Sequence, residues 1–251
     1  MDVVAEAVPK KADYELYYWP EIPGRGEFVR LTLEAAGASY VDVAREPESA
    51  GGGVPALLAL LQDKALPLAP FAPPFLKTGE LVIAQTALIL EFLGPRLGMS
   101  PRDEPGRLRA SQLQLTIADA VVEAHDAHHP LGAALYYEEQ EREAKRRARV
   151  FVTERIPKFL SYFERALGKA SGEYFVGGAL SHVDLSMFQL LGGLKYAFPN
   201  AMAASEKEIP RLLALHARVA AEPRVAAYLA SNRRLPFNRQ GIFRHYPELD
   251  L

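Results

Sequence analysis

The hydrophobic period of this chain changes once, near residue 100, and that change limits the fold more than any other feature. Before it, short aromatic and β-branched runs alternate with amphipathic helical runs; after it the apolar patterns have the helical period, up to a tail, Leu235 to Leu251, with no clear period. Tyr14 to Trp19 reads as a strand, Glu27 to Ala36 as a helix stopped by Gly37, and Tyr40 to Val43 as a second strand. A short helix around Ala56 to Gln62 sits between glycine- and proline-spotted loops. Phe75 to Lys77 and Leu81 to Ala84 then form a hairpin turning at Thr78-Gly79, followed by a helix from Thr86 to Leu93. This βαβ-then-ββα order predicts a small mixed sheet backed by helices. Gly94 to Arg107 reads as the linker. Helices are expected over Leu108–His128, Tyr136–Leu167, Ser181–Tyr196, Ile209–Ala221 and Pro223–Ser231. The fold class is therefore α/β plus all-α, with domains at 13–95 and 107–251.

At 251 residues, either domain can bury a real core. A net charge of −2 gives no electrostatic case for nucleic acid or an anionic membrane as partner. The apolar stretches fall short of the roughly 18 residues a spanning helix needs. Met1 to Asp13 lacks a sustained apolar core, is not expected to be a secretory signal, and should fray before the first strand. A cytoplasmic location is the expectation. The chain has no cysteine, which excludes disulfides, thiolate metal sites and cysteine nucleophiles. Any thiol chemistry must use a sulfur brought by a ligand.

Three constellations carry chemistry. The first is Tyr17-Tyr18-Trp19-Pro20 followed by Gly24-Arg25-Gly26 and a helix. A phenol O–H placed against a ligand's thiol favours the thiolate, and each pKa unit needs about 1.4 kcal/mol of preferential stabilisation. Alternation sends adjacent side chains to opposite faces, so only one of Tyr17 and Tyr18 can serve. A core aromatic is the competing reading. The second constellation is Pro73-Pro74 ahead of a strand, with Gln85-Thr86 eleven residues after Pro74 at a helix N-terminus. Such a terminus suits a carboxylate, although Thr86 also reads as an ordinary N-cap. The third is Gly177 to Asp184, in which Ser181 and Asp184 form a capping box stapled by Leu180 and Leu185. This is a folding element.

Together these motifs resemble the tyrosine-type cytosolic glutathione S-transferases, over roughly Tyr14 to Ser231. The resemblance implies a thioredoxin-like N-terminal domain binding glutathione and an all-helical domain binding an electrophile. It makes Tyr18 the catalytic residue, the Tyr followed by Trp19 matching the family pattern. It implies a cis peptide before Pro74, the preceding backbone pairing with the cysteinyl part of glutathione. Pro73 has no N–H, so only the carbonyl half of that pairing can survive. It gives the γ-glutamyl end to Gln85 and Thr86, and places Asp119 of a second copy near its amine, hence a homodimer. Arg25, Arg45 and Lys64 are candidates for the glycyl carboxylate. The segment His125 to Tyr137 should line the electrophile pocket, with Phe237 and Phe243 near its mouth. His125, His128 and His129 lack any known metal-ligand spacing, and no metal is expected. The implied activity is conjugation of glutathione to small electrophiles, a detoxifying reaction. The alternatives are isomerisation, dehalogenation or peroxide reduction at the same site, or a non-catalytic binding protein on this fold.

Overall fold

Strand β1 (Tyr14–Tyr17) is interior to a four-stranded sheet of order β2-β1-β3-β4 in the computed structural model, which describes residues 12–250. The expectation for Met1 to Asp13 falls almost wholly outside the described residues. Strand β2 (Tyr40–Asp42) pairs parallel with β1, Tyr14 opposite Tyr40 and Leu16 opposite Asp42. Strand β3 (Phe75–Thr78) pairs antiparallel with β1, Leu16 opposite Leu76, and β4 (Leu81–Ala84) closes the hairpin with β3. A parallel pair needs a crossover, and helix α1 (Gly26–Ala36) supplies it. Gly37 ends α1 at φ 68°, donating its N–H to Glu34, while the Ala38 N–H returns to Leu33.

Alternation along the strands fixes the two faces of the sheet. Leu16, Leu76 and Ile83 point to one side and meet Val29 and Leu33 of α1 with Ile89 and Leu93 of α3 (Thr86–Arg96). Tyr17 and Phe75 point to the other, against Val43, Ala44 and Leu57, the last on α2 (Gly53–Leu61). Helix α1 is buried on nearly every side. Its remaining apolar residues, Phe28, Leu31 and Ala35, join the core of the helical half.

That half begins at α4 (Glu104–Asp126), whose N-cap Asp103 accepts from the Gly106 N–H at 2.7 Å. The expected linker is thus shorter than its prolines suggested, because α3 runs through Pro95 to Arg96 and Asp103-Glu104-Pro105 is a helix start. The single helix expected over Tyr136–Leu167 is divided into α5 (Glu141–Val150), a π turn at Phe151–Arg155 and α6 (Ile156–Gly168). Helix α7 (His182–Ala197) runs through the middle of the domain, most of its residues buried, and α8 (Pro199–Ser205) follows directly. The short, alanine-rich α8 was not predicted. Helices α9 (Pro210–Ala221) and α10 (Pro223–Leu229) each open on a proline at the first helical position.

Candidate active site

Tyr18 lies one residue beyond β1, where the chain leaves the sheet, and is 4% exposed. Its ring rests on the turn leading into α1: a methyl group added at Gly24 would meet the hydroxyl, and one at Gly26 the ring. Gly24 also holds φ 45°, the left-handed region. The hydroxyl accepts the Arg25 N–H at 2.9 Å, which leaves its own proton free to donate. Burial raises the phenol pKa, against a lowering pull from the Arg25 N–H and the Arg25 and Arg30 guanidiniums. The group is therefore a neutral O–H donor at neutral pH, not a base. Arg30, fully buried, lies 5.7 Å from the centre of the Tyr18 ring and donates to Asp42 at 2.6 Å and to the Pro23 carbonyl at 3.3 Å. It fastens the Tyr18-bearing loop to β2. Tyr17 turns the other way, stacks on Phe75 and donates to Glu15 at 2.8 Å.

The Pro73–Pro74 peptide bond is cis, as expected, and delivers the chain into β3. At the far end of the hairpin Gln85 adopts φ 73°, an uncommon conformation for a residue with a side chain, and turns the chain from β4 into α3. Thr86 opens α3, and its buried hydroxyl has no hydrogen-bond partner. Beside it lies a cavity of about 390 Å³ walled by Arg25 and Phe28 at the start of α1, Gln85 to Leu88 and Glu91 at and within α3, and Gln114, Leu115, Ile117, Ala118, Val121 and Val122 of α4. Arg25 joins the two parts: its backbone holds the phenol and its residue lines the cavity. A helix N-terminus, an orphaned hydroxyl and an arginine there are groups of the kind that can hold a carboxylate.

Arg25, Gln85 and Thr86 thus share one cavity, which the Arg25 backbone N–H links to Tyr18, and Pro74 is buried. Trp19 does not join this cavity: it lines a separate one of about 350 Å³ with Pro20, Glu21, Ile22, Val54 and Gln240. Lys64 is exposed in the turn after α2, outside the cavities described here. Arg45 is spent on the tail, donating to the Arg233 carbonyl at 2.7 Å. Asp119 is exposed on α4, next to the wall residue Ala118. Sequence reasoning missed Arg30, Glu91, Gln114 and Arg244. Gln114 did leave a signal, an amide within the buried stripe Ala110, Leu113, Ile117, Val121.

His125 closes α4, and His128 and His129 lie past its end. The His128 Nε2 is 2.7 Å from the Ile242 carbonyl, which can only accept, so that nitrogen carries a proton. Its Nδ1 then accepts from the Nδ1–H of His129, whose Nε2 faces the Arg244 guanidinium at 3.5 Å. Burial first, then the neighbouring charges, push His128 down to about 3 and His129 down to about 4. The three histidines form no cluster suited to a metal ion among the described residues. They anchor the tail, which also reaches the Tyr18 loop where Asn238 donates to the Glu21 carbonyl at 2.9 Å.

The fold is a thioredoxin-like domain joined to a helical one, with a cavity lined by residues of both. The family model for the glutathione S-transferase C-terminal domain matches residues 125–232. A glutathione S-transferase of Plasmodium yoelii yoelii is 23% identical, over 84% of this chain and 90% of its own. Glutathione S-transferase P 1 of Xenopus laevis is 27% identical, over 88% and 93%. The pi-class glutathione S-transferase structure of Onchocerca volvulus superposes with a TM-score of 0.68 at 19% identity, covering 91% of this chain and 99% of that one. The chain thus carries a match to the glutathione S-transferase C-terminal domain over its helical half and is similar along most of its length to glutathione S-transferases.

Proposed function

We propose that the protein transfers glutathione to small electrophiles, with Tyr18 holding the attacking sulfur as its anion. The observation that carries this reading is the Tyr18 hydroxyl itself. It is buried, it accepts from the Arg25 amide, and its own proton has no acceptor among the described residues. Its raised pKa keeps the proton on oxygen, so the group stabilises a thiolate by donation. A charge-assisted bond of this kind contributes roughly 1.5–3 kcal/mol, enough to lower the thiol pKa by one to two units. The thiol proton leaves to solvent on binding. The thiolate then forms a C–S bond, and the leaving group departs with its electron pair, or an added proton completes an addition.

In this reading Thr86, Gln85 and Arg25 take the γ-glutamyl carboxylate. The cysteinyl backbone meets the Pro73 carbonyl, without the usual amide. The electrophile enters beside the end of α4 and the tail. Residues 13–95 make up the glutathione-binding domain and 107–251 the electrophile-binding one.

The assembly proposed is a cytoplasmic homodimer. Leu88 of α3 and Leu115 and Val122 of α4 expose apolar surface on one side of the cavity. Leu68 and Phe71, 85% and 93% exposed on the proline-rich loop before β3, add an apolar projection suited to a second copy. No described helix is long and apolar enough to cross a membrane. The direct test is titration of bound glutathione by its thiolate ultraviolet absorbance. A sulfur that ionises at the same pH bound and free would remove the basis for catalysis by Tyr18.

A further inference from the structure

We infer that a second cavity, between the end of α3, the start of α4 and the start of α7, binds a small protonated amine. The His182 imidazole and the Glu91 carboxylate receive its N–H groups. The site is separate from the one proposed for glutathione, and the inference stands without that reading.

The cavity holds about 370 Å³. His182, the first residue of α7, lines it and is 1% exposed. Its Nδ1 lies 3.0 Å from the Met99 carbonyl, which can only accept, so that nitrogen carries the proton. Nε2 is then a bare lone pair, buried and without a partner. A buried acceptor left unmet is destabilising, and an occupant bearing N–H groups removes that cost. Burial holds the imidazole below its usual pKa, so the lone pair is present at neutral pH. Folding does not call for this ring. The cap of α7 is made by Ser181 and Asp184, and the Met99 carbonyl already accepts the His182 backbone N–H at 3.0 Å. The ring is nevertheless given room by a glycine, since a β-carbon at Gly94 of α3 would lie 3.0 Å from Nδ1.

Charge decides what the lone pair can meet. Glu91, half-buried, and Glu104, exposed in the first turn of α4, belong to the same wall, and neither forms a hydrogen bond or ion pair among the described residues. The cation of the wall, Arg107, donates to the Arg102 carbonyl. Two carboxylates and a lone pair against one guanidinium disfavour an anion and favour a cation. The two helix starts do not reverse this, because Asp103, Glu104 and Asp184 already face them. No group of three metal-ligating side chains converges here among the described residues, so a metal ion fits poorly. An ammonium has three donors and no acceptor, and Nε2, Glu91 and the Ser111 hydroxyl can take them. Pro95 and the exposed Leu108 supply apolar surface for its carbon body.

The test is calorimetric titration of the whole chain with benzylamine, benzyl alcohol and benzoate, which share a ring and differ in charge. Benzylamine should bind about tenfold or more tightly than either, the size of one charge-assisted contact. His182→Phe and Glu91→Gln should each cut that preference to roughly threefold or less. His182→Gln, whose amide oxygen also accepts, should keep most of it, which a general loss of structure would not allow. Saturating glutathione should leave the benzylamine Kd within about twofold of its value alone, since the two sites are distinct. Failure of benzylamine to bind, equal binding of benzyl alcohol or benzoate, a preference untouched in His182→Phe, or displacement by glutathione each overturns the inference. Glu91→Gln keeps volume at a half-buried position, so it decides the matter should His182→Phe fail to fold.

Discussion

Tyr18 is held in place by what surrounds it. The Arg25 amide occupies its lone pair, the two glycines leave room for its ring, and Arg30 fastens the loop beneath. Replacing Tyr18 with Phe removes only the donor. We expect kcat/KM to fall by about ten- to a hundredfold, with thermal stability little changed, because one charge-assisted bond is worth roughly 1.5–3 kcal/mol. Steady-state kinetics alongside a melting curve checks this, and an unchanged kcat/KM would place the chemistry elsewhere. Gly24→Ala acts differently. Its β-carbon collides with the phenol at a positive φ, so activity and stability should fall together. Strand alternation showed only that Tyr17 and Tyr18 face opposite ways, and the choice of Tyr18 came from the resemblance carried by Tyr18-Trp19. The Arg30 clamp was not legible, since its partners Asp42 and Pro23 come together only once β2 lies beside β1.

Two elements show how local sequence and packing divide the work. The cap of α7 is written in the chain. The Asp184 carboxylate accepts from the Ser181 N–H at 2.8 Å and the Ser181 hydroxyl at 2.6 Å, and its other oxygen takes the Phe175 N–H at 2.9 Å. Asp184→Ala leaves those donors buried and unpaired, so a loss of about 1–3 kcal/mol is expected in urea unfolding. A loss below a few tenths of a kcal/mol would show that the box contributes little. The π turn at Phe151–Arg155 is different. Eight residues on an α-helix bring a side chain well off the starting face. The extra residue of a π turn restores alignment, and Arg147 and Arg155 both reach Glu123 of α4, Arg155 at 2.6 and 2.8 Å. Periodicity over Tyr136–Leu167 cannot reveal such a turn, because the cause lies on another helix.

At the scale of the whole molecule, Glu27 ties the two halves. Fully buried on α1, it accepts from the Tyr228 hydroxyl at 2.6 Å, from Arg234 of the tail and from Arg30 at 3.4 Å. Its removal strands buried donors and positive charge, so Glu27→Leu should lower the melting temperature by several degrees or more. Acid stability follows from the histidines. His128, His129 and His216 are held by burial at about 3, 4 and 4, below the usual value near 6.5. Between those limits the unfolded chain binds protons that the native one refuses. Their contribution is complete above about pH 6.5 and is lost as pH falls towards 4. Asp184, raised to about 6, works in the opposite sense over part of that range but is a single group. Urea midpoints should therefore drop between pH 6.5 and 4, and His128→Phe should flatten the slope; a midpoint that rises on acidification contradicts the assignment. If the proposed dimer forms, Phe71→Asp and Leu88→Asp should shift a micromolar sample towards monomer on gel filtration, and an unchanged elution volume contradicts the interface.

What the chain declares on its own is whatever depends on neighbours a few residues away. The strand-then-glycine turn at Tyr18, the Gln85-Thr86 helix start and the α7 cap all follow from short-range sterics and backbone hydrogen bonding, whereas the cis bond before Pro74 was implied only by the resemblance. Tertiary structure alone decided which polar side chains meet. Gln114 and Glu91 share a wall, His128 and His129 meet Arg244, and Trp19 and Lys64 stay out of the cavity. The reason is that desolvation and pairing depend on distances between segments far apart in the chain. A periodic pattern records which face a residue occupies, and packing alone sets what that face touches.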